Sequence, residues 1–345
     1  MAKYLIKLAA AALIAIISGV CIAGFMINNW SKERTLASES VILPFPRGTS
    51  LKSLSNSLEE EGVISSSLYY NIWVRVMARD YDRFQAGVYR FDSAMSPAQI
   101  SQQFIDGKVY DPVVAEITIP EGFTSGKTIS RLVANNIGRQ KNLSKLVTNK
   151  KYLSSHKIPG KSVEGFLYPA TYRFTKRLPT GREAFDKMIT TFWENLPKNY
   201  QENVEKAGLT LEKAVIFASL IELETRYDDE RSKVSEVIWR RLKTSQYLGI
   251  DAALIYGIID YRGDITWKHL RDASNKYNLR KHKGLPPTAI GSPGKKSLQA
   301  VLTPTNLGNN FYVLKVNGDG RHHFSKNLKE HNKFVKLFVE STKRK

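Results

Sequence analysis

The chain is 345 residues long and 42% hydrophobic, with a formal net charge of +20 and one cysteine. Such a length holds two domains once a short N-terminal segment is set aside, and the hydrophobic content is ordinary for a globular protein with a real core. Disulfides and Cys-based zinc sites are excluded from everything after Cys21, and the positive charge is spread along the chain, with short clusters only at 281–283 and at the tail, which is no nucleic-acid signature.

Residues 8–27 form an apolar run broken only by Ser18 and small glycines. About 20 such residues match the hydrocarbon thickness of a bilayer, so one transmembrane helix is expected. A secretory signal peptide is the alternative, because Cys21-Ile22-Ala23 has the form of a small-x-small cleavage site, but the run continues through Phe25, Met26 and Ile27. A lipoprotein anchor is disfavoured by Val20 in front of Cys21. Lys3 and Lys7 before the run nearly balance Lys32 and Arg34 after it, so charge alone does not orient the helix. Either way the bulk of the chain is exported. A basic domain tethered there meets anionic lipid head groups and acidic wall polymers before it meets nucleic acid.

Residues 28–40 are polar and read as a juxtamembrane linker. A pattern then occurs twice. An extended apolar segment turns at Pro46-Arg47-Gly48 into a helix with Leu51, Leu54 and Leu58 at helical spacing; a second turns at Pro120-Glu121-Gly122 into a helix with Ile129 and Leu132. Each helix is expected to be capped by Ser or Thr. Between the copies, Gly87 and the alternating Val88 and Arg90 suggest a strand. Residues 41–160 therefore read as a small α+β binding or scaffolding module. From 161 to 345 the texture changes to aromatic-rich loops and longer helices, ending in a strand, a Gly-rich turn, a His-containing loop and a closing helix.

One carboxylate stands where an apolar side chain belongs. Read as a helix over 211–225, the segment AVIFASLIELETR puts Glu224 on one stripe with Phe217, Leu220 and Ile221. A Glu facing an apolar environment keeps its proton to higher pH and can donate it near neutrality, which is the property of a general acid. Glu222 falls about 160° away around the same helix and is the poorer candidate. The structural alternative for Glu224 is a helix-end ion pair with Lys213 or Arg226.

The segments FQAGVYRF, IPEGFT, VEGFLYPATYRF, ASLIELETR, LGIDAALIYG, KGLPPTAIGSPGKKSLQAVLTP and RHHFSKNLKEHN follow one another in an order and spacing that resembles the membrane-anchored endolytic murein transglycosylases, the YceG-like family. The resemblance covers nearly the whole chain after the linker. It implies an α+β protein with a LysM-like module at 41–160 and a mixed α/β catalytic domain at 161–345. It places that domain on the periplasmic side of the inner membrane, with the N-terminus cytoplasmic. It further implies cleavage of MurNAc–GlcNAc bonds within nascent glycan strands, leaving 1,6-anhydroMurNAc ends and terminating elongation, and a partnership with peptidoglycan synthases. In the family's E-x-E-T motif the second carboxylate is catalytic, which maps onto Glu224. No cofactor or metal is implied, because the sugar's own C6 hydroxyl serves as nucleophile and one Glu can donate a proton and then take one back, whereas hydrolysis usually needs two carboxylates.

The chain departs from the family pattern at Ala170, where Asp is usual after the proline. It departs again at Gly249-Ile250-Asp251-Ala252-Ala253, where Gln-Thr/Ser-Asp-Pro-Thr is usual, and at Leu279-Arg280 after Tyr277-Asn278, where the motif is YNTY. These changes are expected to cluster near the substrate cleft. Candidate substrate contacts are Asp251, which could bind sugar hydroxyls, orient Glu224 or cap a helix, and Tyr168 and Tyr172, which could stack on sugar faces or belong to the core. Tyr277 and Asn278 join them, as do His322, His331 and Asn332 of the closing motif, for which loop-pinning hydrogen bonds fit better than metal ligation. Glu164 is expected to be structural. The leading function is a membrane-anchored lytic transglycosylase; the alternatives are a catalytically weakened peptidoglycan-binding scaffold of the same fold and a muramidase using Glu224, Asp251 and water.

Overall fold

In the computed structural model, residues 2–34, 40–91, 95–175, 177–316 and 318–342 are described, and the chain divides into two compact units, Met1–Pro112 and Val113–Lys345. The first begins with helix α1 (Ala2–Trp30), whose stretch Tyr4–Trp30 contains an 18-residue window of mean hydropathy 2.5 and is long and apolar enough to cross a membrane. The helix runs past the expected linker start: residues 28–30 are its last turn, and Trp30 donates its indole N–H to Ser65 Oγ at 2.8 Å. Of the rest of that linker, 35–39 lie outside the described residues.

Strand β1 (Val41–Phe45) turns at Gly48, whose φ of 83° suits a residue without a Cβ, into α2 (Leu51–Glu60). Ser50 caps α2 by accepting from Ser53 N. Then come α3 (Ser67–Ile72), continued by a π-helical turn, and β2 (Gly87–Phe91), the strand expected around Gly87. β2 pairs antiparallel with β1, Leu43 facing Tyr89. Helix α4 (Pro97–Asp106) closes the unit behind a capping box of Ser96 and Gln99. Leu54, Leu58, Tyr70, Tyr89, Phe91 and Phe104 form its core.

The second unit opens with the second strand-turn-helix, β3 (Val113–Thr118) and α5 (Ser125–Ala134), the helix capped by Thr124 as expected. The division of the chain falls at 112/113 and not at 160/161 because β3 pairs antiparallel with β4 (Thr171–Thr175), more than fifty residues downstream. The two similar local units thus belong to different cores. Helices α6 (Gln140–Val147) and α7 (Lys150–Ser155) lie between these strands, and α8 (Gly181–Asn195) and α9 (Tyr200–Lys206) follow β4.

At the centre is α10 (Leu211–Glu224), capped by Thr210 and buried on every side from Ala214 to Ile221, the behaviour of a helix that is apolar all round. It packs against α11 (Asp228–Lys243), α12 (Asp251–Tyr256) and α14 (Lys295–Leu302), with α13 (Trp267–Arg271) in the long loop between the last two. The chain ends in an antiparallel hairpin, β5 (Phe311–Leu314) with β6 (His322–Ser325), and α15 (Leu328–Thr342), which packs on that hairpin. Glu164, expected to be structural, lies away from the Glu224 cleft lining. It is buried and accepts from Ser125 N, Ser125 Oγ and Tyr256 Oη.

Candidate active site

The E-x-E-T motif ends α10, and its three polar residues have three separate jobs. Glu222 points into a buried network, accepting from Arg231 Nη1 at 3.0 Å and from Gly294 N at 2.9 Å. With Ser219 Oγ accepting from Ile290 N at 3.1 Å, it docks the GLPP…SPG loop onto the helix. Thr225 ends the helix in an extended conformation and donates Oγ–H to Glu230 Oε2. Glu224 faces a cleft of about 900 Å³.

In that cleft Glu224 Oε2 accepts a 2.6 Å hydrogen bond from Tyr312 Oη on β5. Its partner is therefore a neutral phenol, not Lys213 or Arg226. Burial raises the Glu224 pKa above its ordinary value; the nearby Asp251 charge also raises it, while the Tyr312 hydrogen bond, His322 and Arg241 oppose the shift. The helix C-terminus, with its free carbonyl ends, adds a further reason for the carboxyl to hold a proton. Burial and then the Glu224 charge push the Tyr312 phenol far above its ordinary pKa, so it stays a donor.

His322 lines the same cleft and is held by Glu230 on α11. Glu230 Oε1 accepts from His322 N at 2.9 Å, and Oε2 meets His322 Nδ1 at 2.8 Å. That contact assigns the ring's proton to Nδ1, leaving Nε2 without a hydrogen-bond partner among the described residues. One carboxylate thus ties together the end of α10, α11 and β6.

Arg241 reaches the cleft from α11, its Nε and Nη2 donating to Asn310 O and its Nη1 to Leu248 O. Burial pulls its pKa down. Arg280 grips Asp251 Oδ1 with Nη2 at 2.7 Å and Nε at 3.1 Å.

The structure brings Glu224, Asp251, His322 and His331 together in the cleft. Asp251 is the first residue of α12 and makes no capping bond; its carboxylate goes to Arg280. His331 stacks on Phe311 with centroids 5.0 Å apart, and its Nδ1 is buried without a hydrogen-bond partner among the described residues. The other candidates are elsewhere. Tyr168 and Tyr172 are buried in the core, where Tyr172 Oη donates to Tyr168 O. Tyr277 packs on Tyr256 and bonds Thr288. Asn278 is fully buried, its amide donating to the carbonyls of His269, Leu270 and Asp272, so it shapes a loop and cannot touch a strand. Asn332 is exposed and off the cleft lining.

The departures do not cluster at the cleft either. Gly249 and Arg280 line it, whereas Ile250, Ala253 and Leu279 are core residues and Ala170 and Ala252 pack against that core. Sequence reading missed Tyr312, Arg241 and the clasp formed by Glu230. Each acts across a large sequence separation with no local signal.

A family model for the YceG-like family matches residues 43–337. The chain belongs to the YceG-like family. Among curated relatives of this YceG-like chain, the endolytic murein transglycosylase of Bacillus subtilis is 27% identical over 323 residues, covering 89% of this chain and 87% of that one. The enzyme of the same name from Streptococcus pneumoniae serotype 2 is 23% identical, covering 87% of this chain and 59% of its own length. A crystal structure of a YceG-like protein from Listeria monocytogenes is similar in fold, with a TM-score of 0.58 and 26% identity over 86% of this chain and 99% of that one.

Proposed function

We propose that the chain is an endolytic murein transglycosylase that cleaves MurNAc–GlcNAc bonds in glycan strands and leaves 1,6-anhydroMurNAc ends. The observation that carries this reading is a single carboxyl, Glu224, whose pKa burial raises, set in an open cleft with a phenol as its hydrogen-bond partner. Glu224 gives its proton to the glycosidic oxygen as the C1–O bond breaks. The C6 hydroxyl of the same MurNAc then bonds C1, and the Glu224 carboxylate takes the hydroxyl proton, restoring the acid with no water consumed. Tyr312 supports the carboxylate between the two steps.

Among the described residues lining the cleft, the other carboxylate is Asp251, and Arg280 holds it. That favours the transglycosylase over a muramidase, which needs a second free carboxylate. The names of the relatives agree with this choice.

In this reading α1 anchors the chain in the inner membrane with its N-terminus inside and the second unit in the periplasm, where nascent strands and their synthases are met. The order β1, α2, α3, β2 with its antiparallel pair supports a LysM-like module within the first unit.

The test is mass spectrometry of glycan strands digested with the full chain in detergent. New anhydro ends are expected. Reducing ends would make the protein a hydrolase, and no new ends would leave a binding scaffold.

A further inference from the structure

Two guanidinium groups converge over a glycine in the cleft wall. Gly249 has a φ of +67°, and the point where a Cβ would stand is 3.9 Å from Arg241 Nη1 and 3.9 Å from Arg280 Nη1. Apart from its chain neighbours, no other described residue comes within 4 Å of that point, so the two cations flank an open hollow. Arg241 makes no hydrogen bond to a carboxylate among the described residues; its hydrogen bonds run to the carbonyls of Asn310 and Leu248. Arg280 commits Nε and Nη2 to one oxygen of Asp251, leaving Nη1 without a hydrogen bond among the described residues. Lys283 adds a third positive charge to the lining, its Nζ 5.6 Å from the centroid of the Tyr247 ring.

The charges do not balance within the protein. Burial is the main cause that lowers the Arg241 pKa; the neighbouring Tyr312 and Glu224 oppose that shift, and the Arg280 charge adds to it. Two like charges held close in a partly dry site repel unless an anion lies between them. Asp251 is hydrogen-bonded to only one of them, and burial disfavours the charged form of Glu224. A carboxylate is the anion whose flat two-oxygen geometry suits a pair of N–H forks. Gly249 and Arg280 are also both departures from the motifs described above: loss of a side chain at one opens the hollow, and the other supplies a guanidinium.

We propose that the hollow over Gly249 is a subsite for a carboxylate carried by the bound strand, clamped between Arg241 and Arg280. This rests on the transglycosylase reading for the nature of the ligand. Two sources offer that chemistry, the stem peptide and the lactyl group of a stripped MurNAc. The subsite sets which strands are held, and Glu224 sets what is done to them.

The experiment measures binding by the full-length Glu224→Gln chain in detergent, so it does not depend on turnover. Calorimetry compares stem-bearing strands, strands stripped of stems by an amidase, and both preparations after their carboxylates are converted to amides. At least one free-carboxylate preparation is expected to bind about tenfold more tightly than its amide, the size of one charge-assisted hydrogen bond. A preference in the stripped pair identifies the lactyl group, and a preference confined to the stem-bearing pair identifies the peptide. Adding Arg280→Gln should erase the preference. Adding Asp251→Asn should enlarge it by freeing the Arg280 fork, a gain that a damaged fold would not give. Equal binding of acid and amide strands, no binding to any strand, or a preference that survives Arg280→Gln overturns the subsite. If acid strands are preferred and yet the unsubstituted chain makes no anhydro ends, the transglycosylase reading fails while the subsite stands.

Discussion

Replacing Tyr312 by Phe removes one oxygen from the cleft and tests whether the phenol acts in the reaction or only in packing. The ring belongs to β5 and sits between Phe324, at 6.0 Å, and His322, at 5.4 Å between centroids, contacts that Phe retains. What is lost is the 2.6 Å hydrogen bond to Glu224 Oε2. A hydrogen bond to a neutral acid contributes about 0.5–1.5 kcal/mol and one to a charged group about 1.5–3 kcal/mol. Negative charge grows on Glu224 as its proton leaves, so the bond strengthens by roughly 1 kcal/mol on the way to the transition state, which is about fivefold in rate. That stabilisation is absent from the ground state, so it appears in kcat with KM little changed. The hydrogen bond also lowers the Glu224 pKa against the larger effect of burial. The variant should therefore keep its acid protonated to higher pH, and the alkaline limb of its kcat/KM profile should move upward. Initial rates of anhydro-end formation by liquid chromatography and mass spectrometry, taken across pH, read both effects. A rise in KM with unchanged kcat, or an alkaline limb that moves down, would refute the assigned role of Tyr312.

Glu224→Gln should abolish anhydro ends, a loss of at least 10²-fold by the usual contribution of a general acid, and should stabilise the fold. Because the folded-state pKa of Glu224 is raised above 4.5, the native state binds the extra proton and loses stability as pH rises through that interval. The thermal advantage of the Gln variant should thus be absent at low pH and grow towards neutrality; an advantage that shrinks would contradict the burial argument. Glu222→Gln should lower stability by about 3 kcal/mol in a denaturant titration, because it breaks a buried pair with Arg231; a neutral effect would mean that Asp228 compensates. Thr at positions 250 and 253 should not raise turnover, since Ile250 and Ala253 are 2% and 0% exposed; each buried hydroxyl should cost about 1–3 kcal/mol, and faster cleavage would show that the cleft opens further than its lining suggests. A reporter fused after Lys345 should be active only outside the cytoplasm; activity inside would reverse the proposed orientation.

The helix that carries Glu224 was legible because its apolar residues are continuous and Thr210 marks its start. The odd carboxylate near its end stood out against that background. The turns at Gly48 and Gly122 were equally readable, since local backbone chemistry decides them. Long-range partners were not. Tyr312 lies 88 residues from the acid it bonds, and Glu230 meets His322 across 92. Nothing in the pattern of FYVL distinguishes a strand residue that faces a cleft from one that faces a core. The same blindness moved the domain boundary, because local texture changes near 160 while β3 already belongs with β4. Tyr168 and Tyr172 show the converse: aromatic residues in a recognisable motif serve the core.

The separation between Glu224 and the groups that complete its surroundings sets an order of events in the making of the protein. The acid and its helix leave the ribosome long before Tyr312 and His322 do. A chain that has grown only past α14 carries Glu224 but has neither the phenol nor the imidazole of the β5–β6 hairpin. The cleft is finished only by residues of β5, β6 and α15. A chain without the β5–β6 hairpin thus keeps the acid and lacks its hydrogen-bond partner.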